Sequence, residues 1–350
     1  MNQTPDSFKK ILILQTAFIG DVILTTPLLR VCAEKFPTAQ IHFITIPASR
    51  NTVETLPYIY KLWIYDKRGK DAGLANLIRF SRKLKKEKFD LALIPHRSLR
   101  SALLVYFARI SRRIGFDTSS GSFLFSDKVK YSGEGHEINR NLKLFEPLNI
   151  EINEKQFPEI HPDETDRKII SDWLQQNGLG TLKPLVCMAP GSIWFTKRWI
   201  PEYWATLSER LTQQGYSVVF VGSSVDHPLI QNIIEMINSP VYNASGLFTV
   251  RQSAELIRRS ILLISNDSAP THIGVSVKTP VLTIFGSTVP TFGFYPCGEN
   301  DRVAEIENLP CRPCTDHGRE KCPLKHFKCM KDLYPDHVFE IAEEMIHEHH

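Results

Sequence analysis

The chain has 350 residues, 42% of them hydrophobic and 23% charged, with 42 Lys+Arg against 38 Asp+Glu and seven cysteines. That length exceeds what one hydrophobic core usually supports, so two domains are expected, and the composition is ordinary for a globular protein. No apolar run approaches the roughly 20 residues of a membrane span, and the start MNQTPDSFKK lacks the apolar core of a signal peptide, so a soluble cytoplasmic chain is expected.

The first element is ILILQTAFIGDVILT (11–25), an apolar stretch that holds one carboxylate, Asp21, directly after Gly20. Its unbroken apolar opening, Ile11 to Leu14, reads as a strand covered on both faces of a parallel sheet. VILTTPLLRVCAEKF follows with helical spacing, which predicts a helix from Val22 and places Asp21 at the strand-to-helix turn. In open α/β sheets that edge is where ligands bind. Asp21 is therefore either a cap on the helix or a group facing a ligand. The turn has one glycine where a dinucleotide fingerprint needs three, and it has no glycine-lysine pair of a P-loop. A lone carboxylate facing a crevice suits a general base better than a phosphate binder.

The strand-then-helix rhythm continues through IHFITI (41–46), LWIYD (62–66) with a basic helix after it, and FDLALIP (89–95) followed by LRSALLVYFARI, which predicts parallel βαβ units. This half is basic: residues 1–150 carry 24 Lys+Arg against 13 Asp+Glu, and residues 151–350 carry 18 against 25. The charge concentrates in RFSRKLKKEK (79–88), with Arg82, Lys83, Lys85 and Lys86, and in Arg97, Arg100, Arg109, Arg112 and Arg113. These residues read either as solvated helix faces or as a surface for an anionic partner such as a phosphorylated glycolipid, a membrane or nucleic acid.

Residues 151–166, EINEKQFPEIHPDETD, are polar, hold two prolines and lack periodicity, as an interdomain linker does. The rhythm then restarts with LVCMAP (185–190), SVVFVGS (217–223), ILLISND (261–267) and PVLTIFG (280–286), with helices around EYWATLSERLTQQG, PLIQNIIEMI and a short one through His272. Two Rossmann-like halves facing each other across a cleft are expected.

Three strand ends in this half carry chemistry. APGSIWFTKRW places Gly191 and Ser192 in a turn ahead of Lys197 and Arg198, offering N–H groups and a cation to a diphosphate. In VGSSVDHP, Gly222 permits close backbone approach, and Asp226 or His227 is a candidate for a ribose or base. In SNDSAPTHIG, a strand runs into Asp267 and Ser268 and a helix starts near Ala269, so N–H groups and the positive end of the helix dipole point at the same edge. His272 lies one turn beyond Ser268 on the same face. Ser268 as a plain N-cap and His272 as an interior imidazole are the structural alternatives.

GDVILTTPLL, PGSxxxxKRW, GSxxD and NDSAPTHIG, in that order and spacing, resemble the ADP-heptose:lipopolysaccharide heptosyltransferases of glycosyltransferase family 9, heptosyltransferase II-like, from residue 10 to the neighbourhood of residue 340. The resemblance implies the GT-B architecture, with an acceptor domain over 1–160, a nucleotide-sugar domain over 167–332 and a C-terminal helix over 333–350. It implies an inverting transferase that moves heptose from ADP-heptose to a lipid A-core acceptor without a catalytic cofactor, working at the inner face of the cytoplasmic membrane. Asp21 matches the proposed catalytic base, Lys197 the lysine that neutralises the diphosphate, and Gly191 and Ser192 the phosphate turn. Asp267, Ser268 and His272 match the Asp-(Ser/Thr)-Gly…His element, from which Ala269 departs by standing where the family usually has glycine. With that reading, Gly222 and Asp226 at their strand end are expected to bind the donor, and the basic residues Arg82, Lys83, Lys85, Lys86, Arg97 and Arg100 to face acceptor or membrane.

Four cysteines fall in CRPCTDHGREKCPLKHFKC, as Cys311, Cys314, Cys322 and Cys329. Their number and spacing suit a structural zinc site, with reduced, unliganded thiols as the alternative. Cysteines beside a basic half also raise a zinc-bearing nucleic-acid binder. However, the cluster lies in the acidic half and no nucleic-acid motif accompanies it, so nucleic acid is not expected as a partner. Another GT-B enzyme, with a different donor or an epimerase activity, is the alternative within the fold.

Overall fold

The computed structural model describes residues 8–179 and 183–348; the residues MNQTPDS and the last two histidines lie outside that range. The chain divides at Pro158/Glu159 into two compact units, each an α/β domain around one fully parallel six-stranded sheet.

The first unit runs β1 (Lys10–Leu14), α1 (Ile19–Ile23), α2 (Thr26–Lys35), β2 (Gln40–Thr45), α3 (Arg50–Val53), β3 (Lys61–Ile64), α4 (Gly73–Glu87), β4 (Leu91–Ile94), α5 (Leu99–Phe107), β5 (Arg112–Phe116), β6 (Asp127–Val129) and α6 (Glu137–Leu142). The second runs α7 (Glu164–Gln176), β7 (Leu185–Ala189), α8 (Pro201–Gln213), β8 (Ser217–Phe220), α9 (His227–Ile234), β9 (Tyr242–Asn243), α10 (Val250–Arg258), β10 (Leu262–Asn266), α11 (Ala269–Ser276), β11 (Val281–Phe285), β12 (Arg302–Glu305), α12 (Lys328–Lys331) and α13 (Pro335–His347).

The sheet orders are β3-β2-β1-β4-β5-β6 and β12-β11-β10-β7-β8-β9. Counted from each unit's own first strand, both are 3-2-1-4-5-6, the doubly wound order of dinucleotide-binding folds. The central strands are buried on both faces, with Ile11 to Leu14 and Leu262 to Ile264 fully covered, which is why they read as unbroken apolar runs. Register is held by pairs such as Ile13 with Phe43 and Leu93, and Ile264 with Met188 and Leu282.

Local chemistry explains where the elements differ from the sequence expectation. The helix predicted from Val22 is two helices, because Pro27 in the first turn of α2 has no N–H to continue α1. Thr25 and Thr26 instead donate to the Asp21 and Ile23 carbonyls, satisfying the end of α1. Arg112 and Arg113 lie on strand β5, not on a helix face. Their guanidinium groups donate to the Pro147 carbonyl at 2.6 Å and the Leu124 carbonyl at 2.7 Å, so they tie the sheet edge to its neighbouring loops. β5, β6, β9 and β12 are short outer strands absent from the predicted set. Among the described residues no helix is long and apolar enough to cross a membrane.

The polar stretch 151–163 leads into α7, which is fixed by charge. Asp163 and Asp166 cap one another's N–H groups, and Arg251 of α10 reaches both carboxylates, at 3.0 Å and 2.5 Å. Asp166 is almost fully buried, so removing it takes one carboxylate from the Arg251 guanidinium, which is itself mostly buried. Asp166→Ala is expected to cost about 3 kcal/mol of stability in denaturant unfolding. A loss below about 1 kcal/mol would mean that the pair behaves like an exposed one.

Candidate active site

In a doubly wound sheet the chain leaves adjacent central strands in opposite directions, and a crevice opens at their carboxyl ends. In the first sheet those strands are β1 and β4; in the second they are β7 and β10. Every catalytic or phosphate-binding residue singled out in the sequence follows one of these strands, apart from Gly222 and Asp226, which follow the neighbouring β8.

Asp21 lies in the first turn of α1, where its Oδ2 accepts from the Phe18 N–H at 3.1 Å. The capping geometry is therefore real, and it leaves the second carboxylate oxygen outside that bond. Burial raises the Asp21 pKa from 3.8 to about 6, and the negative charge of Glu137 pushes the same way, against the Phe18 N–H and Arg97. Glu137 is itself held by Arg140 at 3.2 Å and by the Tyr131 hydroxyl at 2.8 Å. Arg97 lies over the Tyr131 ring, 4.0 Å from its centre. Lys67 donates to the Thr16 carbonyl at 2.6 Å; burial lowers its pKa, opposed by the charge of Asp21. His96 Nδ1 meets the hydroxyls of Ser101 at 2.7 Å and Thr16 at 2.9 Å, and burial with the cations Lys67 and Arg97 lowers its pKa to about 4. The imidazole is therefore neutral above that pH. Lys67, His96, Tyr131, Glu137 and Arg140 were not singled out in the sequence. An i,i+3 acid-base pair in EINR was their one local signal.

The basic residues divide into two groups. Arg82, Lys83, Lys85 and Lys86 are all exposed on α4, whose opposite face buries Leu77, Phe80 and Leu84. Arg100 instead donates to the Tyr65 hydroxyl at 2.6 Å and to the Asp71 carbonyl at 2.7 Å, which gives it a structural task within the unit.

In the second unit the residues after β7, β8 and β10 come together. Lys197, in a short 3-10 turn, places its Nζ 2.7 Å from Asp267 Oδ2, with both side chains largely buried. The Thr288 hydroxyl donates to the same oxygen at 2.6 Å. A lysine ammonium has three N–H donors, more than the one carboxylate oxygen it meets here can take up. The Ser268 hydroxyl donates to the Gly191 carbonyl at 3.2 Å and caps no N–H of α11, tying the turn after β7 to the turn after β10. Asn266, fully buried, donates to the Pro190 carbonyl at 2.7 Å and accepts from the Trp199 N–H at 3.1 Å, fixing the same turns from below.

Asp226 accepts from the Ser223 N–H and hydroxyl at 2.9 and 2.7 Å, and it packs on Gly191, where an added Cβ would lie 2.3 Å from its carboxylate. Asp226 thus occupies the space of a side chain at Gly191, while at Gly222 a Cβ would make tight contacts of 3.1 Å with Asp226 and Ile230. His227 turns to the Ser245 hydroxyl at 2.9 Å. At the start of α11, Ala269 is followed by Pro270, which has no N–H, so the helix offers one donor fewer than the sequence count. His272 is buried on α11, one turn past Ser268.

Cys311, Cys314, Cys322 and Cys329 are free thiols. The Cys314 thiol donates to the Cys311 carbonyl at 3.0 Å, and burial raises the Cys329 pKa to about 12. Among the described residues no three His, Cys, Asp or Glu side chains are grouped to hold a metal ion.

The raised Asp21 pKa has a stability consequence. Folding favours the protonated acid, so stability is lost as pH rises from about 4 towards 6 and the penalty is complete above that. Asp21→Asn keeps an acceptor for Phe18 and removes the penalty, so its melting temperature is expected to exceed the parent's at pH 8, with the gain shrinking towards pH 5. A gain that stays constant with pH would show that Asp21 titrates normally.

Residues 77–326 match the model of glycosyltransferase family 9 (heptosyltransferase). Lipooligosaccharide heptosyltransferase 2 of Campylobacter jejuni is 27% identical to this chain over 350 residues, covering 97% of the chain and 99% of that protein. A glycosyltransferase family 9 structure from Veillonella parvula superposes with a TM-score of 0.88 at 23% identity, over 97% of this chain and 98% of its own. The structure of E. coli ADP-heptose LPS heptosyltransferase II gives 0.80 at 20% identity, over 97% and 99%. The two parallel Rossmann-like sheets thus have the GT-B fold that the sequence motifs imply, and with the family model matching well over half of its length, the chain belongs to glycosyltransferase family 9.

Proposed function

We propose that the protein is an inverting heptosyltransferase that moves heptose from ADP-heptose to the inner core of lipopolysaccharide. The observation that carries this reading is the buried Lys197–Asp267 pair at the crevice of the second sheet, beside the Gly191–Ser192 turn and the start of α11. A diphosphate leaving group needs positive charge and N–H donors in place before its bond breaks. The sequence has no Asp-x-Asp triplet to hold a metal for that purpose. Lys197 is the cation, Asp267 and Thr288 aim it, and the two turns supply backbone donors.

Asp21 is the base. An acceptor sugar hydroxyl gives its proton to the Asp21 carboxylate while its oxygen bonds to the anomeric carbon of the donor. The bond from that carbon to the diphosphate breaks, and its electron pair leaves with ADP. A carboxylate raised to about 6 is ionised at neutral pH and is a stronger base than an ordinary one. Glu137 contributes to that shift, and the Arg140 and Tyr131 contacts keep Glu137 in place.

The exposed basic face of α4 is the docking surface for the glycolipid and the anionic inner face of the membrane. This reading rests on charge, exposure and the lipopolysaccharide named in the relatives' functions.

Asp21→Asn is expected to lower turnover by about 10² to 10⁴ while ADP binding stays intact. The parent's kcat/KM should fall below pH about 6 as Asp21 takes up its proton. Near-parental turnover in the variant would leave Asp21 as a helix cap alone. Reversing Arg82, Lys83, Lys85 and Lys86 to Glu is expected to raise the KM for glycolipid, leave the donor KM unchanged and weaken salt-sensitive binding to anionic vesicles. Equal vesicle binding by both proteins would remove the membrane surface from the reading.

A further inference from the structure

The Cys-rich segment adds no strand to the sheet, yet its first nine residues press on the loops that carry the ion pair. Arg312 is buried, with its side chain 5% exposed. It donates to the Thr288 carbonyl at 2.7 Å, to the Glu305 carboxylate at 2.6 Å and to the Ile306 carbonyl. The Cys314 N–H donates to the Ser287 carbonyl at 3.0 Å. On the other side, Thr196, next to Lys197, exchanges two hydrogen bonds with Arg319: its N–H donates to the Arg319 carbonyl at 3.0 Å, and its hydroxyl accepts from the Arg319 N–H at 2.8 Å. The Thr196 and Ser287 hydroxyls meet at 3.0 Å and close the circuit.

The fit is close enough to exclude side chains. Gly318 has φ +108°, and a Cβ there would lie 2.6 Å from the Trp194 side chain. At Gly286 a Cβ would lie 2.2 Å from Met330 and 3.0 Å from the Thr196 carbonyl. Both loops are therefore sandwiched between the sheet end and the C-terminal segments.

We propose that residues 311–319 are a positioning strap for the donor site: they hold the Ser287–Thr288 loop and the turn before Lys197 so that Thr288 and Lys197 meet on the same oxygen of Asp267. The strap touches no substrate. It acts through Thr288, whose hydroxyl and carbonyl face opposite ways, one to Asp267 at 2.6 Å and the other to Arg312 at 2.7 Å. Arg312 is a positioning residue because a planar guanidinium bonded both to the Thr288 carbonyl and to the end of β12 at Glu305 and Ile306 fixes their register, which a lysine's single ammonium does not reproduce. The thiols belong to the same device: the bond from the Cys314 thiol to the Cys311 carbonyl, and the 3.9 Å contact of Cys311 with His326, keep the strap folded on itself. The inference rests on the diphosphate reading of the Lys197 site.

The test uses the full-length protein, with ADP binding by calorimetry and KM measured separately for donor and acceptor. Thr288→Val and Arg312→Gln are each expected to weaken ADP binding and raise the donor KM about tenfold, the loss expected of one hydrogen bond to a charged group, with the acceptor KM unchanged. Thr288→Ser is expected to restore the parental values. If Lys197→Ala weakens ADP binding while Thr288→Val and Arg312→Gln bind ADP within twofold of the parent, the strap is structural only and the proposal is overturned. If Lys197→Ala itself leaves ADP binding unchanged, the diphosphate reading fails, and the strap's role falls with it. Should Arg312→Gln fail to fold, Thr288→Val with its Ser rescue decides the matter, because that substitution removes one hydroxyl and conserves volume.

Discussion

The ion pair between Lys197 and Asp267 is the constraint around which the second domain is arranged. Both groups are taken largely out of water, and a buried pair keeps its favourable attraction only when the remaining donors and acceptors are matched. Thr288 supplies one match, and the buried Asn266 braces the turns on either side. The local charge of lysine plus aspartate is zero. In the proposed reaction a diphosphate there would meet a cation already placed by a fixed carboxylate, so little reorganisation would be needed as charge moves to the leaving group.

The first domain solves a different problem with the same sheet order. Its crevice also lies at the carboxyl ends of two central strands, but the group placed there is an acid made reluctant to ionise by burial and by Glu137. Neutral His96, the partly buried Lys67 and the Arg97–Tyr131 stack surround the same corner. One unit thus presents a proton acceptor tuned towards neutrality and the other a fixed cation. Those are the two groups that the transfer proposed above would use.

Much of this was legible in the sequence because buried central strands are written as apolar runs and their ends as glycine- and hydroxyl-rich turns. Asp21, Lys197, Asp267 and Ser268 stood out for that reason. The outer strands did not: β5 opens with two arginines and β9 has two residues, so neither carries a period to read. Long-range partners were invisible for a deeper reason. Thr288 lies 21 residues from Asp267, and Arg312 a further 24 from Thr288, so no local pattern links them. The roles of Arg100, Arg112 and Arg113 were hidden likewise, since the backbone carbonyls they bind carry no sequence signature. The cysteine spacing suggested a metal through ligand count, and could not show that the same segment bonds to the Ser287 and Thr288 carbonyls.

The most direct measurement is of the transfer itself. Purified protein is incubated with ADP-heptose and with two defined lipid A-core acceptors, one without heptose and one carrying a single heptose, and the glycolipid and nucleotide products are weighed by mass spectrometry and their anomeric configuration read by NMR. The account predicts that one acceptor gains a single heptose, inverted at its anomeric carbon, with one ADP released for each heptose transferred. Consumption or epimerisation of the donor in the absence of any acceptor, with neither acceptor gaining mass, would contradict it.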